Sequence, residues 1–137
     1  MKPMEGIRVV EVAAWTFVPA AGAVLADVEV GGAPAFQVVG VGGVFVARSA
    51  RGHGLSATLL EGLLAEAEHA GPERALLFCR PQLVDLYRKL AFHEIRAPVW
   101  AAQPGGRIEM PLRAMWRPLR AGTTWPAGRV DVHGLPF

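Results

Sequence analysis

The apolar and polar positions of the first third of the chain predict one helix between β-strands. Ile7 to Val12 is rich in β-branched residues and predicts a strand. Pro19 to Ala26 is rich in alanine and begins with proline, so it predicts a short helix. Val28 to Val30 and Phe36 to Ala47, joined across Gly31-Gly32, predict a hairpin. Glycines inside the second arm of this hairpin predict a bulge or a close approach of another backbone.

The middle of the chain predicts helix, strand and helix in that order. From Leu55 to His69 apolar residues recur every three or four positions until Gly71-Pro72, which is the pattern of an amphipathic helix. Ala75 to Cys79 is a fully apolar strand candidate. Pro81 then begins a second helix, Gln82 to Leu90. Its predicted apolar face consists of Leu83, Leu86, Tyr87 and Leu90.

The last third predicts two more strands and an irregular tail. Ile95 to Ala102 and Ile108 to Trp116 have strand-like composition and flank a turn at Gln103 to Gly106. The segment from Arg117 to Phe137 is rich in proline and glycine, and we expect it to be extended rather than regular.

Composition limits the class of protein. With 137 residues, 52% hydrophobic and 19% charged, the chain predicts a single domain over residues 1–137. The net charge of +2 is scattered without a basic stripe, which argues against a nucleic-acid partner. The single cysteine, Cys79, favours a reducing compartment, so we expect a cytoplasmic protein. No apolar run reaches the length of about 18 residues that a membrane span needs, and the histidine and cysteine spacing indicates no metal site.

The most informative segment for function is Arg51 to Ser56, between an apolar run and a helix-like run. A glycine-rich turn before a helix presents unpaired backbone N–H groups and the positive end of the helix dipole. This arrangement predicts a cradle for a pyrophosphate.

Two sequence blocks carry a family resemblance. Val44-Phe45-Val46 followed by Arg51-Gly52-His53-Gly54-Leu55-Ser56 resembles the acetyl-CoA signature of the GNAT superfamily of N-acetyltransferases, with Ser56 at the position of a usual Gly or Ala. Leu83 to Phe92 is similar to the family's helix ending in Tyr, three residues and Gly-Phe, with Ala91 in place of the glycine. The resemblance covers about residues 27–119. It implies an α/β fold with a mixed, mostly antiparallel sheet flanked by helices, and with a truncated or replaced N-terminal part.

The resemblance also implies an activity and its residues. The implied reaction is direct attack of a small-molecule amine on acetyl-CoA, with Tyr87 as the general acid for the leaving thiolate. His53 is expected to be a loop residue of the cradle and not a catalyst. The implied cofactor-binding residues are Phe45, Val46, Ala47, Arg51, Gly52, His53, Gly54, Leu55 and Ser56.

Residues 1–26 resemble a different family, the start of the family III CoA-transferases, so the chain resembles a fusion. That family's catalytic aspartate lies in a part that this sequence does not contain, so we do not expect that transfer reaction. The fusion also replaces a part that helps form the acceptor site in N-acetyltransferases. Two alternatives therefore stay open: a catalytically impaired CoA-binding remnant, and a homodimerisation module in which a second copy covers an edge strand.

The general base is not assigned by the sequence. Glu29 is the nearest candidate on the strands that would face the acceptor, with Glu94 and Glu109 behind it. Some aminoglycoside-acetylating members of the superfamily use their terminal carboxylate as base. By that resemblance Phe137 is a further candidate, with Trp116 and Trp125 lining the pocket.

Overall fold

The computed structural model describes residues 9–13, 20–45 and 55–134, and these form a mixed α/β fold. A short 3₁₀ turn, Pro81–Leu83, leads directly into the second helix. In chain order the elements are β1 Val9–Ala13, β2 Ala20–Val30, β3 Phe36–Phe45, α1 Leu55–Ala67, β4 Arg74–Cys79, α2 Val84–Arg88, β5 His93–Ile95, β6 Val99–Gln103, β7 Gly106–Glu109, β8 Arg113–Pro118 and β9 Val130–His133.

The strands form one sheet that curls into a half-barrel. The described strands lie in the order β5-β8-β4-β3-β2-β9-β6-β7. β1 pairs with the first half of β2, and β9 pairs with the second half. Strands β5 and β6 are far apart in this order, yet residues 96–98 alone join them along the chain. Because so short a link spans only about 10 Å, the two ends of the sheet must approach each other.

The curl separates two apolar clusters. The outer cluster packs Leu59, Leu60, Leu63 and Leu64 of α1 and the buried side chains of α2 against the sheet. The inner cluster joins side chains from both ends of the sheet. Strands β3 and β4 contribute alternate residues to the two clusters, so both of their faces are buried. The inner cluster consists of Val28, Val30, Val38, Leu76, Val99, Ala101, Ala114, Val130 and Val132.

The helix predicted over Pro19 to Ala26 is wrong, because these residues belong to β2 from Ala20 onward. β2 pairs with β1 on one edge and with β3 on the other, and these backbone ladders on both sides outweigh the high helix propensity of alanine. The predicted hairpin of β2 and β3 is confirmed. Gly31 and Gly32 both have positive φ, +59° and +75°, at its turn, as in the turns that suit hairpins.

The strands predicted at Ile95 to Ala102 and Ile108 to Trp116 are each divided in two. The first contains the end of β5 and most of β6, and the second contains the second half of β7 and most of β8. Pro98 and Pro111 lie in the breaks, where the missing N–H group cannot join a ladder. The halves consequently pair in different parts of the sheet.

The second helix is shorter than predicted, and of its predicted apolar face only Tyr87 and Leu90 are buried. α2 ends at Arg88, and its buried residues are Val84 and Tyr87. Leu83 and Leu86 are instead 38% and 37% exposed, because the preceding 3₁₀ turn changes the angular position of Leu83 relative to the α-helix.

The tail is more regular than predicted, because residues 130–133 form β9. β9 runs antiparallel to β2 and parallel to β6, so it closes the sheet between them. His133 on β9 is 2.9 Å from the carboxylate of Glu29 on β2. Within the described residues, no helix has the length and apolar character needed to cross a membrane.

Gly128 brings the tail against the turn between β2 and β3, and its substitution should destabilise the protein. A Cβ at Gly128 would lie 2.7 Å from the Cα of Gly31, and the residue has φ of +119°. We expect Gly128→Ala to lower the free energy of unfolding by about 2 kcal/mol or more, through strain and overlap with backbone that cannot move aside.

Gly122→Ala is the matched control, because Gly122 has φ of +81° and open space around its Cα. It should cost only the left-handed strain of about 1 kcal/mol. Urea unfolding followed by tryptophan fluorescence compares the two variants. Equal losses of the free energy of unfolding would contradict a role of the close contact between Gly128 and Gly31 in stability.

Candidate functional site

The parallel pair of β3 and β4 opens at its carboxyl end. The ladder consists of Val39 with Ala75, Gly40 with Leu76 and Val41 with Leu77. Beyond these pairs β3 continues to Phe45 and β4 to Cys79. The ladder therefore ends before the strands do, which leaves a cleft between two strands that both end there.

A bulge in β3 coincides with this opening. Ala20 pairs with Phe45 and Gly22 pairs with Gly42, so β3 has one more residue than β2 between the two pairs. A bulge bends its strand and increases its twist. The predicted irregularity of this glycine-containing arm is confirmed, and it bends β3 where the pairing with β4 stops.

The predicted pyrophosphate cradle lies next to the cleft along the chain. Phe45 is the last residue of β3, and Leu55 and Ser56 are the first residues of α1. The other predicted cofactor-binding residues lie outside the described residues; they are Val46, Ala47, Arg51, Gly52, His53 and Gly54. The helix that they precede begins where the sequence predicts, so the role of the cradle remains a prediction.

Tyr87 is held in place by the way α2 ends. The N–H of Phe92 donates to the carbonyl of Tyr87 at 3.1 Å, and the N–H of Ala91 donates to that of Arg88 at 3.0 Å. These two bonds, with the left-handed Ala91 at φ +66°, are a Schellman motif. The apolar contact that accompanies this motif joins the rings of Phe92 and Tyr87, 5.8 Å apart and edge to face. Backbone and ring contacts thus fix the phenol.

The surroundings of Tyr87 place it beside the end of β4 and keep it protonated. Its side chain is buried in the outer cluster with Cys79, the last residue of β4. Burial raises the pKa of Tyr87, and the nearby Cys79 raises it further. The phenol therefore carries its proton throughout the neutral range, as a general acid must.

Cys79 is a buried structural thiol. Its sulfur lies 3.9 Å from the sulfur of Met115. Burial raises its pKa, the carboxylate of Glu94 adds to this, and Arg113 offsets part of it. A thiol in this state is a poor nucleophile, which agrees with the sequence interpretation that Cys79 is a small apolar group.

The candidate general bases have different surroundings. Glu29 is paired with His133 at 2.9 Å, and Glu94 is held by Arg88 at 3.2 Å and by Arg113 at 3.0 Å. Glu109 is exposed, and its side chain has no hydrogen bond or ion pair to another described residue. Phe137 lies outside the described residues. The structure thus leaves Glu109 as the unpaired carboxylate among the three glutamates.

A cavity of about 460 Å³ lies where the two ends of the curled sheet approach each other. We call it the seam pocket. Four charged residues line it, Glu94, Arg96, Glu109 and Arg113, together with apolar side chains that include Val99. The sequence analysis missed this pocket, since its walls come from the links that follow β5 and β7. Pro98 and Pro111, one in each link, were the sequence features that could have indicated the two breaks between strands.

Trp116 and Trp125 pack against each other with their ring planes tilted by 37°, and they do not line the seam pocket. Their ring centroids are 5.6 Å apart, and Phe36 packs edge-on against Trp125. Trp125 packs against the inner cluster. The two indoles therefore serve packing, and their predicted place in a pocket with Phe137 stays untested.

The geometry of the cleft between β3 and β4 is typical of one class of ligand-binding domain. A β-α-β unit whose parallel strands separate at their carboxyl ends, with a glycine-rich link into a helix, is the arrangement by which α/β domains bind phosphate-containing ligands. The family model of the acetyltransferase (GNAT) domain matches residues 23–102, more than half of the sequence. The chain belongs to the GNAT family of acetyltransferase domains. No functionally curated protein matches the sequence.

Solved structures confirm the predicted GNAT fold. Escherichia coli YhbS, solved in complex with CoA, has a TM-score of 0.54 and 21% identity, over 82% of this chain and 59% of YhbS. The E. coli ribosomal-protein-S18-alanine N-acetyltransferase has a TM-score of 0.55 and 22% identity, over 87% and 75%. A GNAT acetyltransferase from Brucella melitensis in complex with acetyl-CoA has a TM-score of 0.50 and 22% identity, over 82% and 58%.

These structures bear on the cofactor and on the extent of the chain. The complexes of YhbS with CoA and of the Brucella protein with acetyl-CoA support acetyl-CoA as the predicted co-substrate. The chain spans less than two thirds of the length of either of these two proteins.

Ala91 is the described non-glycine residue with a positive φ, so replacing it with glycine should stabilise the protein. We expect Ala91→Gly to raise the free energy of unfolding by about 1 kcal/mol, because glycine adopts the left-handed conformation without the Cβ penalty. Ala121→Gly is the control, since Ala121 is also exposed but has no positive φ. Urea unfolding measures both, and stabilisation by the control alone would contradict the assignment of strain to Ala91.

Proposed function

We propose that this protein is an acetyl-CoA-dependent N-acetyltransferase that acts on a small-molecule amine. The observation that carries the proposal is the cleft between β3 and β4, which has the start of α1 next to it along the chain and Tyr87 beside the end of β4. The Arg51 to Ser56 segment would hold the pyrophosphate by backbone N–H groups, with a charge-assisted contact from Arg51. Backbone groups of Phe45, Val46 and Ala47 would align the thioester.

The proposed reaction needs no covalent enzyme intermediate. The amine nitrogen forms a bond to the acetyl carbon as the carbon–sulfur bond breaks. The departing thiolate takes a proton from Tyr87, and the proton lost by the nitrogen returns the phenol to its protonated form through solvent. The products are the acetylated amine and CoA. In this scheme Tyr87 acts mainly by its position, because a phenol of raised pKa is a weak acid for a thiolate.

Three further properties are predicted from the sequence alone. A cytoplasmic location, the absence of nucleic-acid and membrane partners, and a homodimer remain predictions. The CoA-transferase-like origin of residues 1–26 is also a prediction. Of that segment the structure describes residues 9–13, which form β1, and residues 20–26, which belong to β2. The alternative is a remnant that binds CoA without catalysis, and the measurement of amine turnover described below distinguishes it from an enzyme.

Binding of CoA should depend on the cradle. We expect Gly54→Glu to weaken acetyl-CoA and desulfo-CoA binding by on the order of 100-fold, because its carboxylate repels the pyrophosphate and blocks the backbone donors. Gly62→Glu places the same charge on the exposed side of α1, where nothing lies within 4 Å, and should leave binding unchanged. Isothermal titration calorimetry measures both. Failure of the folded wild type to bind acetyl-CoA would overturn the proposed function.

Turnover should depend on the phenol of Tyr87. We expect Tyr87→Phe to lower kcat by about 10²- to 10⁴-fold, as for the loss of a general acid, while the Kd for acetyl-CoA and the ring contact with Phe92 are retained. Because burial raises the pKa of Tyr87, the active protonated form persists as pH rises. The wild-type kcat should therefore show no alkaline loss below pH of about 10.

The measurement is steady-state release of CoA from pH 6 to pH 10 with a panel of amines. An unchanged kcat in Tyr87→Phe would remove Tyr87 from the mechanism. Tight acetyl-CoA binding with no turnover of any amine by the wild type would favour the non-catalytic remnant.

A further inference from the structure

The seam pocket lies close to the cleft, on the side of β4 that faces away from β3. Phe78 of β4 pairs with Ala114 of β8, and Ala114 pairs with Ile95 of β5. Ala114 and Ile95 line the pocket, and Phe78 is the second-last residue of the strand that bounds the cleft. With a strand spacing of about 4.8 Å, the pocket begins about 5 Å from the end of β4 and extends to about 10 Å. A ligand in this pocket is therefore within reach of the cleft.

The charges of the pocket divide into a paired set and an unpaired set. Glu94 is only 14% exposed, and Arg113 donates to it at 3.0 Å while Arg88 reaches it from α2. This set is internally compensated. Arg96 and Glu109 line the same cavity, but neither side chain forms an ion pair or hydrogen bond with the other or with any other part of the chain that the structure describes. The pocket thus offers one free cation and one free anion.

The remaining walls are apolar. Val99 and Met110 belong to or pack against the inner cluster, and Leu112 is 41% exposed at the rim. A guanidinium recognises a carboxylate through charge-assisted hydrogen bonds, and a carboxylate recognises an ammonium in the same way. A ligand that matches all three features carries an amine, a carboxylate and an apolar group.

We infer that the seam pocket is the acceptor site and that its acceptor is an apolar α-amino acid. Arg96 binds the acceptor carboxylate, Glu109 receives its amine, and Val99, Met110 and Leu112 contact its side chain. The inference rests on the proposed function and narrows its acceptor class. Polycationic acceptors such as aminoglycosides match the pocket less well, because they carry no carboxylate for Arg96 and no apolar group for its walls.

The test compares three acceptors that differ only at the carboxylate: L-phenylalanine, L-phenylalaninamide and 2-phenylethylamine, with kanamycin as the polycation. In Arg96→Gln we expect the ratio of kcat/KM for phenylalanine to that for phenylethylamine to fall about tenfold relative to the wild type, through loss of one charge-assisted contact. Comparing ratios cancels the different intrinsic reactivities of the amines. Arg96→Lys, which keeps the charge, should restore most of the ratio.

Arg120→Gln is the matched control, because Arg120 is exposed, donates to the carbonyl of Gly71 and does not line the pocket. It should leave the ratio unchanged. Glu109→Gln should lower kcat/KM for all three acceptors alike, since they share the amine. An unchanged ratio in Arg96→Gln, or a wild-type preference for phenylethylamine or kanamycin, would overturn the inference.

A binding measurement separates this inference from the proposed function. Chemical-shift perturbation of the protein by L-phenylalanine, with and without CoA, reports the pocket without turnover. Phenylalanine binding that is lost in Arg96→Gln supports the pocket even where acetyl-CoA fails to bind. Normal CoA binding without any phenylalanine binding leaves the proposed function intact and removes the amino-acid pocket.

Discussion

The short parallel ladder between β3 and β4 is the constraint on which the rest of the molecule depends. Its residues are buried on both faces of the sheet, so the pairing from Val39 to Val41 lies between the two apolar clusters. The bulge in β3 lies just beyond it, opposite the start of β2. Because one strand is fixed at its centre and bent at its end, a cleft forms while the core stays closed. The start of α1 and the phenol of Tyr87 are both positioned relative to these two strands.

The curl of the sheet determines which strands lie across the inner cluster from β3 and β4. β9, from the tail, occupies part of the β2 edge, and the β6–β7 hairpin extends the sheet from it. The inner cluster therefore fills with side chains from the last third of the chain. The seam pocket arises because the same curl brings β5 and β8 towards β6 and β7. The sheet of the described residues is thus completed by strands from the C-terminal part of the chain.

Much of the cleft could be predicted from local pattern. The leucine spacing of α1, the apolar run of β4 and the glycine-rich link are short-range features, and the structure places α1 and β4 where they predict. The replacement of glycine by Ala91 was visible in the sequence, but its cost was not. Only the backbone at φ +66° identifies this position as the left-handed residue of the motif that orients Tyr87. The seam pocket could not be predicted, because its walls meet only through the curl.

The sequence by itself determined the family, the central β-α-β order and the candidate chemistry, because these depend on residues that are near each other along the chain. Tertiary structure decided the state of Ala20 to Ala26, whose alanines favour a helix but which form a strand because ladders pair with it on both sides. It also decided which strands pair after Pro98 and Pro111, and that the tail contributes a strand between β2 and β6. The physical reason is that strand pairing is a long-range interaction: its energy lies in partners that no local window of sequence contains.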